Sequence, residues 1–337
     1  MTILVTGGSG YIGSHTCIEL IKENYDIVVV DNLSNSSIES IRRIEKIVNI
    51  KIPFHKIDIR DKVKLSNIFK KYYIDAVIHF AGLKSVSESV EMPLVYYRNN
   101  LDSTIALCEV MKDFRCKNFV FSSSANVYGK VDSSPVNENF PLNPSNPYGK
   151  SKLMIETILK DLFESDPSWN ISILRYFNPT GSHESGLIGE DPSGIPNNLI
   201  PNISQVAIGK QEKLKIYGGD YNTIDGTGVR DYIHVVDLAK GHINALKAIQ
   251  RNEKNLIVNL GTGQGYSVLQ IIKAFEVASG KIIPYEIVSR RNGDIAECFA
   301  DTSHANEILK WSAQYSLEEM CSDTWRWQSM NPHGFNT

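Results

Sequence analysis

Short apolar runs alternate, through the first half of the chain, with stretches in which apolar residues recur every three to four positions. Residues 3–5 (ILV), 26–30 (DIVVV), 54–58 (FHKID), 75–82 (DAVIHFAG), 118–124 (NFVFSSS) and 171–177 (ISILRYF) read as strands. Between them, Ile12, Thr16 and Leu20 repeat with a helical period over 11–24. Val63, Ile68, Phe69 and Tyr72 do so over 61–73, with the lysines on the solvated face. This alternation predicts an α/β fold, a doubly wound parallel sheet with helices on both faces. Past residue 177 the chain turns rich in Gly, Pro, Asn and Ser over 178–201, which predicts irregular structure and short helices. Strand followed by helix returns in 230–249 and again in 256–279. The expected division is a larger domain over 1–177, with elements near 231–262 packing back on it, and a smaller α/β domain mainly over 178–337.

The first strand runs into TGGSGYIGSH, where Gly7, Gly10 and Gly13 stand three apart. Glycines there allow a tight turn and close approach of a pyrophosphate to backbone N–H groups at the start of a helix. Such a triplet alone is weak, but here a strand precedes it, a helix follows, and a second strand ends in Asp31. An acidic residue at that place accepts hydrogen bonds from a ribose diol and repels a 2′-phosphate, which favours NAD over NADP. Asp58, Ala81-Gly82 with Lys84, Ser122 to Ser124, and Tyr176 all fall just past predicted strand ends. In a doubly wound sheet such ends converge on one crevice.

A second pattern is NPYGKSK, residues 146–152. Pro147 suits the first turn of a helix, so Tyr148 would share that turn and Lys152 would lie one turn on, on the same face. With 15 tyrosines in the chain, about one Tyr-x-x-x-Lys arises by chance, so its weight rests on the surroundings.

Composition removes several alternatives. At 337 residues, 42% hydrophobic and 22% charged, the chain has the make-up of an ordinary globular protein, and its net charge of −3 gives no reason to expect nucleic acid or an anionic membrane as partner. Five scattered cysteines and eight histidines without ligand spacing argue against a disulfide framework and against metal. With no signal-like N-terminus and no apolar run long enough to span a bilayer, a cytoplasmic protein is expected.

The residues now match a family. The glycine loop, Ser122-Ser123-Ser124 and Tyr148-x-x-x-Lys152 resemble the extended short-chain dehydrogenase/reductases. HFAGLKSVSESV (79–90), NFVFSSSANVYG (118–129), NPYGKSKLMIE (146–156), LRYFNPTG (174–181), GIPNNLIP (194–201) and DGTGVRDYIHVVDLA (225–239) resemble the UDP-glucose (UDP-galactose) 4-epimerases over essentially the whole chain. The resemblance implies an NAD-binding Rossmann domain and a UDP-sugar-binding domain. It implies that Tyr148 and Ser124 deprotonate O4 while NAD takes a hydride from C4 and later returns it, with Lys152 beside them.

Contacts to NAD would come from Gly7, Gly10, Tyr11, Ile12, Gly13, Asp31, Asn32, Asn35, Ser36, Asp58, Ile59, Phe80, Ala81, Gly82, Lys84, Asn99, Ser122, Tyr148, Lys152 and Tyr176. On the substrate, Asn178 and Asn198 would lie near the phosphates or uridine. Leu199, Leu214, Lys215 and Tyr217 would frame the uracil, and Tyr232 would line the site. Arg230 and Arg291 would grip the pyrophosphate, and Asp294 the ribose hydroxyls.

For Tyr148 to act as a base near pH 7, its phenol must fall by about 3 pH units, roughly 4 kcal/mol. One cation about 4 Å away supplies roughly that much at an effective dielectric near 20. Lys152 alone would barely suffice; together with the positive ring of oxidised NAD it would.

Related dehydratases carry an Asp-Glu pair after the catalytic Ser/Thr, and decarboxylases usually keep the Glu. Ser124-Ala125-Asn126 offers neither. A dehydratase or dehydrogenase acting on another nucleotide sugar, and a silent NAD-binding scaffold, are the competing functions. Many members confined to glucose and galactose carry a Tyr four residues after the GD aspartate, where this chain has Cys298. That difference leads us to expect room for an N-acetyl group, and thus UDP-GlcNAc/UDP-GalNAc as substrates as well as, or in preference to, UDP-glucose/UDP-galactose. A homodimer is expected through the helices around 100–114 and 151–163.

Overall fold

The structure, a computed structural model, describes every residue except Ser193, Ile195, Asn197, Asn252, Asn292 and Thr337, so part of the motif at 194–201 and the residue after Arg291 lie outside the described residues. Strands β1 (Thr2–Thr6), β2 (Asp26–Asp31), β3 (Phe54–Lys56), β4 (Ala76–His79), β5 (Asn118–Ser122) and β6 (Asn170–Tyr176) come first. β7 (Asn178–Thr180), β8 (Leu214–Tyr217), β9 (Val229–His234), β10 (Leu256–Leu260), β11 (Gly265–Ser267), β12 (Tyr285–Val288) and β13 (Glu297–Cys298) follow. The main sheet runs β10-β6-β5-β4-β1-β2-β3, and each pairing in it is parallel. Ile3, Leu4, Val5, Val29 and Val30 are fully buried, as strands covered on both faces must be.

The helices are α1 (Tyr11–Lys22), α2 (Ile38–Val48), α3 (Lys62–Lys71), α4 (Val86–Glu91), α5 (Pro93–Asp113), α6 (Pro147–Ser165), α7 (Leu199–Ala207), α8 (Val235–Gln250), α9 (Val268–Ser279) and α10 (Leu317–Met330). Residues of α1, α2 and α8 build the core on one side of the sheet with Ile3, Val5, Val29 and Ile78. Those of α3, α5 and α6 build the other side with Leu4, Val28, Val77 and Phe119. β10 closes the far edge of this sheet, whereas β9 lies in a second sheet with β7, β11 and β13. β8 and β12 pair separately and pack with α7, α9 and α10 around Leu214, Tyr232, Phe275 and Met320.

Three strands are shorter than the apolar pattern suggests, ending at Lys56, His79 and Ser122. Phe80 and Ala81 stay apolar because they pack against the core beneath the glycine loop, outside the ladder. The sequence reading also left α2 unassigned. Its stop at Asn49, in a left-handed conformation, and its Ser37 N-cap are conventional helix signals.

Candidate functional site

At the carboxyl end of the main sheet, β1 is followed by Gly7, whose φ of +70° suits glycine. A Cβ there would sit 2.7 Å from the Ala81 backbone nitrogen, and one at Gly13 would overlap the Gly7 carbonyl oxygen. The backbone therefore presses close around α1's first turn. Gly10 caps that turn without any side-chain hydrogen bond, and the Ser9 hydroxyl is buried with no partner. A helix start with uncapped N–H groups, lined by glycine, is the surface a pyrophosphate needs. The residues fit a dinucleotide.

Asp31 is buried and organises the neighbouring turn. Its Oδ2 accepts from the Ser9 N–H at 3.1 Å, and its Oδ1 accepts from the Leu33 N–H and the Ser36 hydroxyl, each at 2.9 Å. Asp58, beyond β3, is held below the usual carboxylate range chiefly by Arg60, with Asn32 also bonding to it. Asn35 is exposed and Ile59 buried. Opposite, Asn100 receives the Leu83 N–H at 2.8 Å and the Asn99 amide at 3.2 Å. The Lys84 ammonium reaches Glu190 at 3.1 Å, and the Tyr11 hydroxyl donates to the Gly181 carbonyl at 2.6 Å, so two links join this lip to the chain beyond residue 180.

Helix α6 starts as its sequence dictates. The Asn146 side chain accepts from the Gly149 N–H at 2.9 Å, and Pro147 occupies the first turn. Tyr148 and Lys152 are both buried, on one face. The Lys152 ammonium donates to the Ser122 carbonyl at 2.8 Å and lies 5.9 Å from the centre of the Tyr148 ring. Ser124 accepts from the Asn126 N–H at 3.2 Å and from its side-chain amide at 3.1 Å, which leaves the serine's own proton to be donated onward. Asn126, useless as an acid or base, thus orients the serine.

One expectation requires correction. Groups of the polypeptide do not bring the Tyr148 phenol down. Burial raises it well above its ordinary value, Tyr176 raises it further, and the Ser124 hydroxyl opposes them. The Tyr176 phenol is itself raised, mainly by burial, against pulls from Ser122 and Lys84. Burial also drives the Lys152 ammonium down to about 8. A phenol and an ammonium that are both desolvated lose more from burial than the sequence argument allowed.

The residues read as substrate contacts gather on the other side of the crevice. Arg230, on β9, donates to its neighbour Val229's carbonyl at 2.8 Å, and its strand is anchored by buried Asp231, which takes backbone N–H groups of Thr262, Gly263 and Ala300. Arg291 stacks on Tyr217 at 4.6 Å and pairs with Asp294 at 3.1 Å. Tyr221 and Arg290, which the sequence reading missed, stack at 4.1 Å beside them. Leu199, Leu214 and Tyr232 belong to one apolar cluster, with Lys215 exposed beside them. Asn178 bonds to the Asp231 carbonyl at 2.7 Å, and Asn198 caps α7 through its backbone. Cys298 packs in a small cluster with Ala125, Val127 and Phe177, neighbours of Ser124 and Tyr176.

Residues 4–324 match the family model described as GDP-mannose 4,6 dehydratase. The UDP-glucose 4-epimerase of Bacillus subtilis is 56% identical over 337 residues, covering 100% of this chain and 99% of its own. The human UDP-glucose 4-epimerase is 56% identical over 342 residues, covering 99% and 98%. The crystal structure of the Bifidobacterium longum UDP-glucose 4-epimerase in complex with NAD⁺ and UDP superposes with a TM-score of 0.94 at 51% identity, covering 99% of this chain and 100% of that one.

Proposed function

The chain belongs to the UDP-glucose 4-epimerase family, and from that premise we propose that it interconverts UDP-hexoses at C4, with Tyr148 as the base and Ser124 as its partner. The observation that carries the reading is the buried Tyr148–Lys152 pair beside Ser124, at the strand ends that face the glycine loop. When bound, NAD supplies the acceptor and donor of the C4 hydride and, in its oxidised form, a positive ring charge. Residues 1–177, with β10 and α8, would hold it, and the elements after 178 would hold most of the UDP-sugar.

Lys152 is the positive charge that the polypeptide places beside the phenol, and burial outweighs it. At 5.9 Å from the ring centre its charge supplies about 3 kcal/mol at an effective dielectric of 20, below the roughly 4 kcal/mol that a base working near pH 7 requires. Tyr148 takes the O4 proton, directly or through the Ser124 hydroxyl, and returns it to that same oxygen once the sugar has turned, while the hydride would come back to the other face of C4. Asn126 keeps the Ser124 lone pairs engaged, so the hydroxyl hydrogen points away from the loop. No second acid–base pair follows Ser124, which favours epimerisation over elimination of water.

Two finer readings accompany this. Cys298, half-buried near Ala125 and Phe177, supports a pocket wide enough for an N-acetyl group at C2. α4, α5 and α6 pack together and leave Val90, Leu94, Val95, Ile105 and Met154 exposed, a surface that fits a second copy of the chain in a cytoplasmic homodimer.

Incubating the purified protein with UDP-glucose and with UDP-GlcNAc, without added NAD, tests the proposal. Both should epimerise, and Tyr148→Phe should lower kcat at least 100-fold while NAD stays bound. Near-normal turnover by a cofactor-loaded Tyr148→Phe would overturn the role of the phenol. Cys298→Tyr should suppress the N-acetylated pair selectively; an equal fall for both pairs would refute the pocket reading.

A further inference from the structure

Beneath the catalytic strand ends lies an ion pair that the reaction scheme leaves unused. Glu156 and Arg175 are both at most 1% exposed. Arg175 Nε donates to the two carboxylate oxygens at 3.1 and 3.2 Å, and its Nη2 donates to Oε2 at 2.6 Å. The Ser123 hydroxyl donates to Oε1 at 2.5 Å. Arg175 Nη1 reaches the Tyr128 hydroxyl at 3.1 Å, and that hydroxyl donates to the Asn259 side chain at 2.7 Å. Buried pairs of this kind add little net stability over apolar packing, yet removing one partner is severely destabilising.

What sets this pair apart is whom it touches. Ser123 precedes Ser124 at the end of β5, Arg175 precedes Tyr176 at the end of β6, and Glu156 stands one turn after Lys152 on the same face of α6. One carboxylate therefore joins the three elements that carry the proposed chemistry. We propose that Glu156 is a positioning residue for the reaction: one turn from Lys152 on the same helix face, it sets a fixed carboxylate beside the ammonium and clamps the residues beside Ser124 and Tyr176. The inference rests on the reading of Tyr148 and Lys152 as the acid–base pair.

The surroundings of Lys152 leave that task to Glu156. From its own helix the ammonium faces Tyr148 and Glu156, from β5 the Ser122 carbonyl and the Phe121 ring. His79 of β4 and His242 of α8 also feel its charge, and burial drives both down, to about 3 and about 4, so neither is charged near neutrality. Tyr96 from α5, Tyr176 from β6 and Tyr128 after β5 lie around the pair, all raised by burial and hence neutral. Burial works against the ammonium and Glu156 works for it.

The test compares wild type, Glu156→Gln and the double variant Glu156→Gln/Arg175→Met. The NAD-loaded proteins are labelled with 15N-lysine, Lys152→Arg assigns the resonance, and the pH dependence of kcat and the thermal midpoint are measured alongside. In Glu156→Gln the Lys152 titration and the alkaline fall of kcat should both move down by about one pH unit or more. The double variant, which also loses the Arg175 cation, should regain much of the lost thermal stability, and its Lys152 titration should lie between that of Glu156→Gln and wild type. The proposal is overturned if Lys152 titrates as in wild type in either variant, or if the double variant restores titration and stability together. Should the single variant fail to fold, the double variant decides alone. The NMR titration is read without turnover, so an absence of epimerase activity would refute the functional reading and leave this one to be judged separately.

Discussion

The two sides of the crevice are built from different materials. On the glycine-loop side the shape is set by backbone and by buried side chains: Gly7 and Gly13 press on peptide groups, and Asp31 is locked by three donors. On the far side the recognisable groups are long, charged and partly solvated. The Arg291 side chain is 56% exposed and already spends a hydrogen bond on Asp294. The first side is organised by the fold itself, whereas the second would exchange internal partners for external ones on taking up the proposed UDP-sugar. A site of the first kind is intolerant of small steric changes; one of the second kind tolerates them and responds to charge.

Gly13→Ala should break the contrast most severely. The atoms its Cβ would meet belong to the backbone of Gly7 and Gly8, which cannot swing aside. We expect loss of bound NAD, seen as a fall in the 260/280 nm absorbance ratio, and a destabilisation on the order of 2 kcal/mol or more.

Acid should come next. Burial lowers His15 and His79 to about 3 and His242 to about 4. Below pH 6.5 the unfolded chain binds protons that the native chain refuses. Stability is therefore present above pH 6.5 and is lost as pH falls toward 4 and then 3, on the order of several kcal/mol in all. Thermal midpoints measured from pH 7.5 to 4.5 should fall steeply, and a flat profile would contradict the assignment. Arg291→Ala should leave folding intact and raise KM for the UDP-sugar about 10- to 100-fold, with a smaller change in kcat. Asp294→Asn, which releases Arg291 but removes the acceptor proposed for the ribose, should change KM by about threefold or less, since a pair with a largely exposed member contributes little.

The same contrast explains what could be read from sequence. Continuous apolar runs announced the central strands, and the turn residues at Gly7, Gly10 and Pro147 fixed the starts of α1 and α6, because these signals are local. Asn126's support of Ser124, the clamp between Glu156 and Arg175, and the Arg290–Tyr221 stack were invisible for another reason: each is a side-chain pairing that exists only once the fold has brought its members together. The acidic residue four positions after Lys152 was the one available clue to the clamp. That the polypeptide by itself leaves the Tyr148 phenol raised was illegible for a related reason, since spacing reveals a neighbour's charge but says nothing of how much water burial has removed.

The strand order carries a consequence for synthesis on the ribosome. β6, which bears Arg175 and Tyr176, pairs on one side with β5 but waits on the other for β10, which follows only after the chain has passed through β7, β8 and β9. At roughly 5–20 residues per second, that edge lies open on the nascent chain for on the order of ten seconds. During that interval a half-made protein presents an apolar strand, Ile171 to Leu174, as a template for its neighbours. Polypeptides released between residues 177 and 255 should accordingly be a burden for chaperones and proteases, whereas those that extend past residue 260 should not.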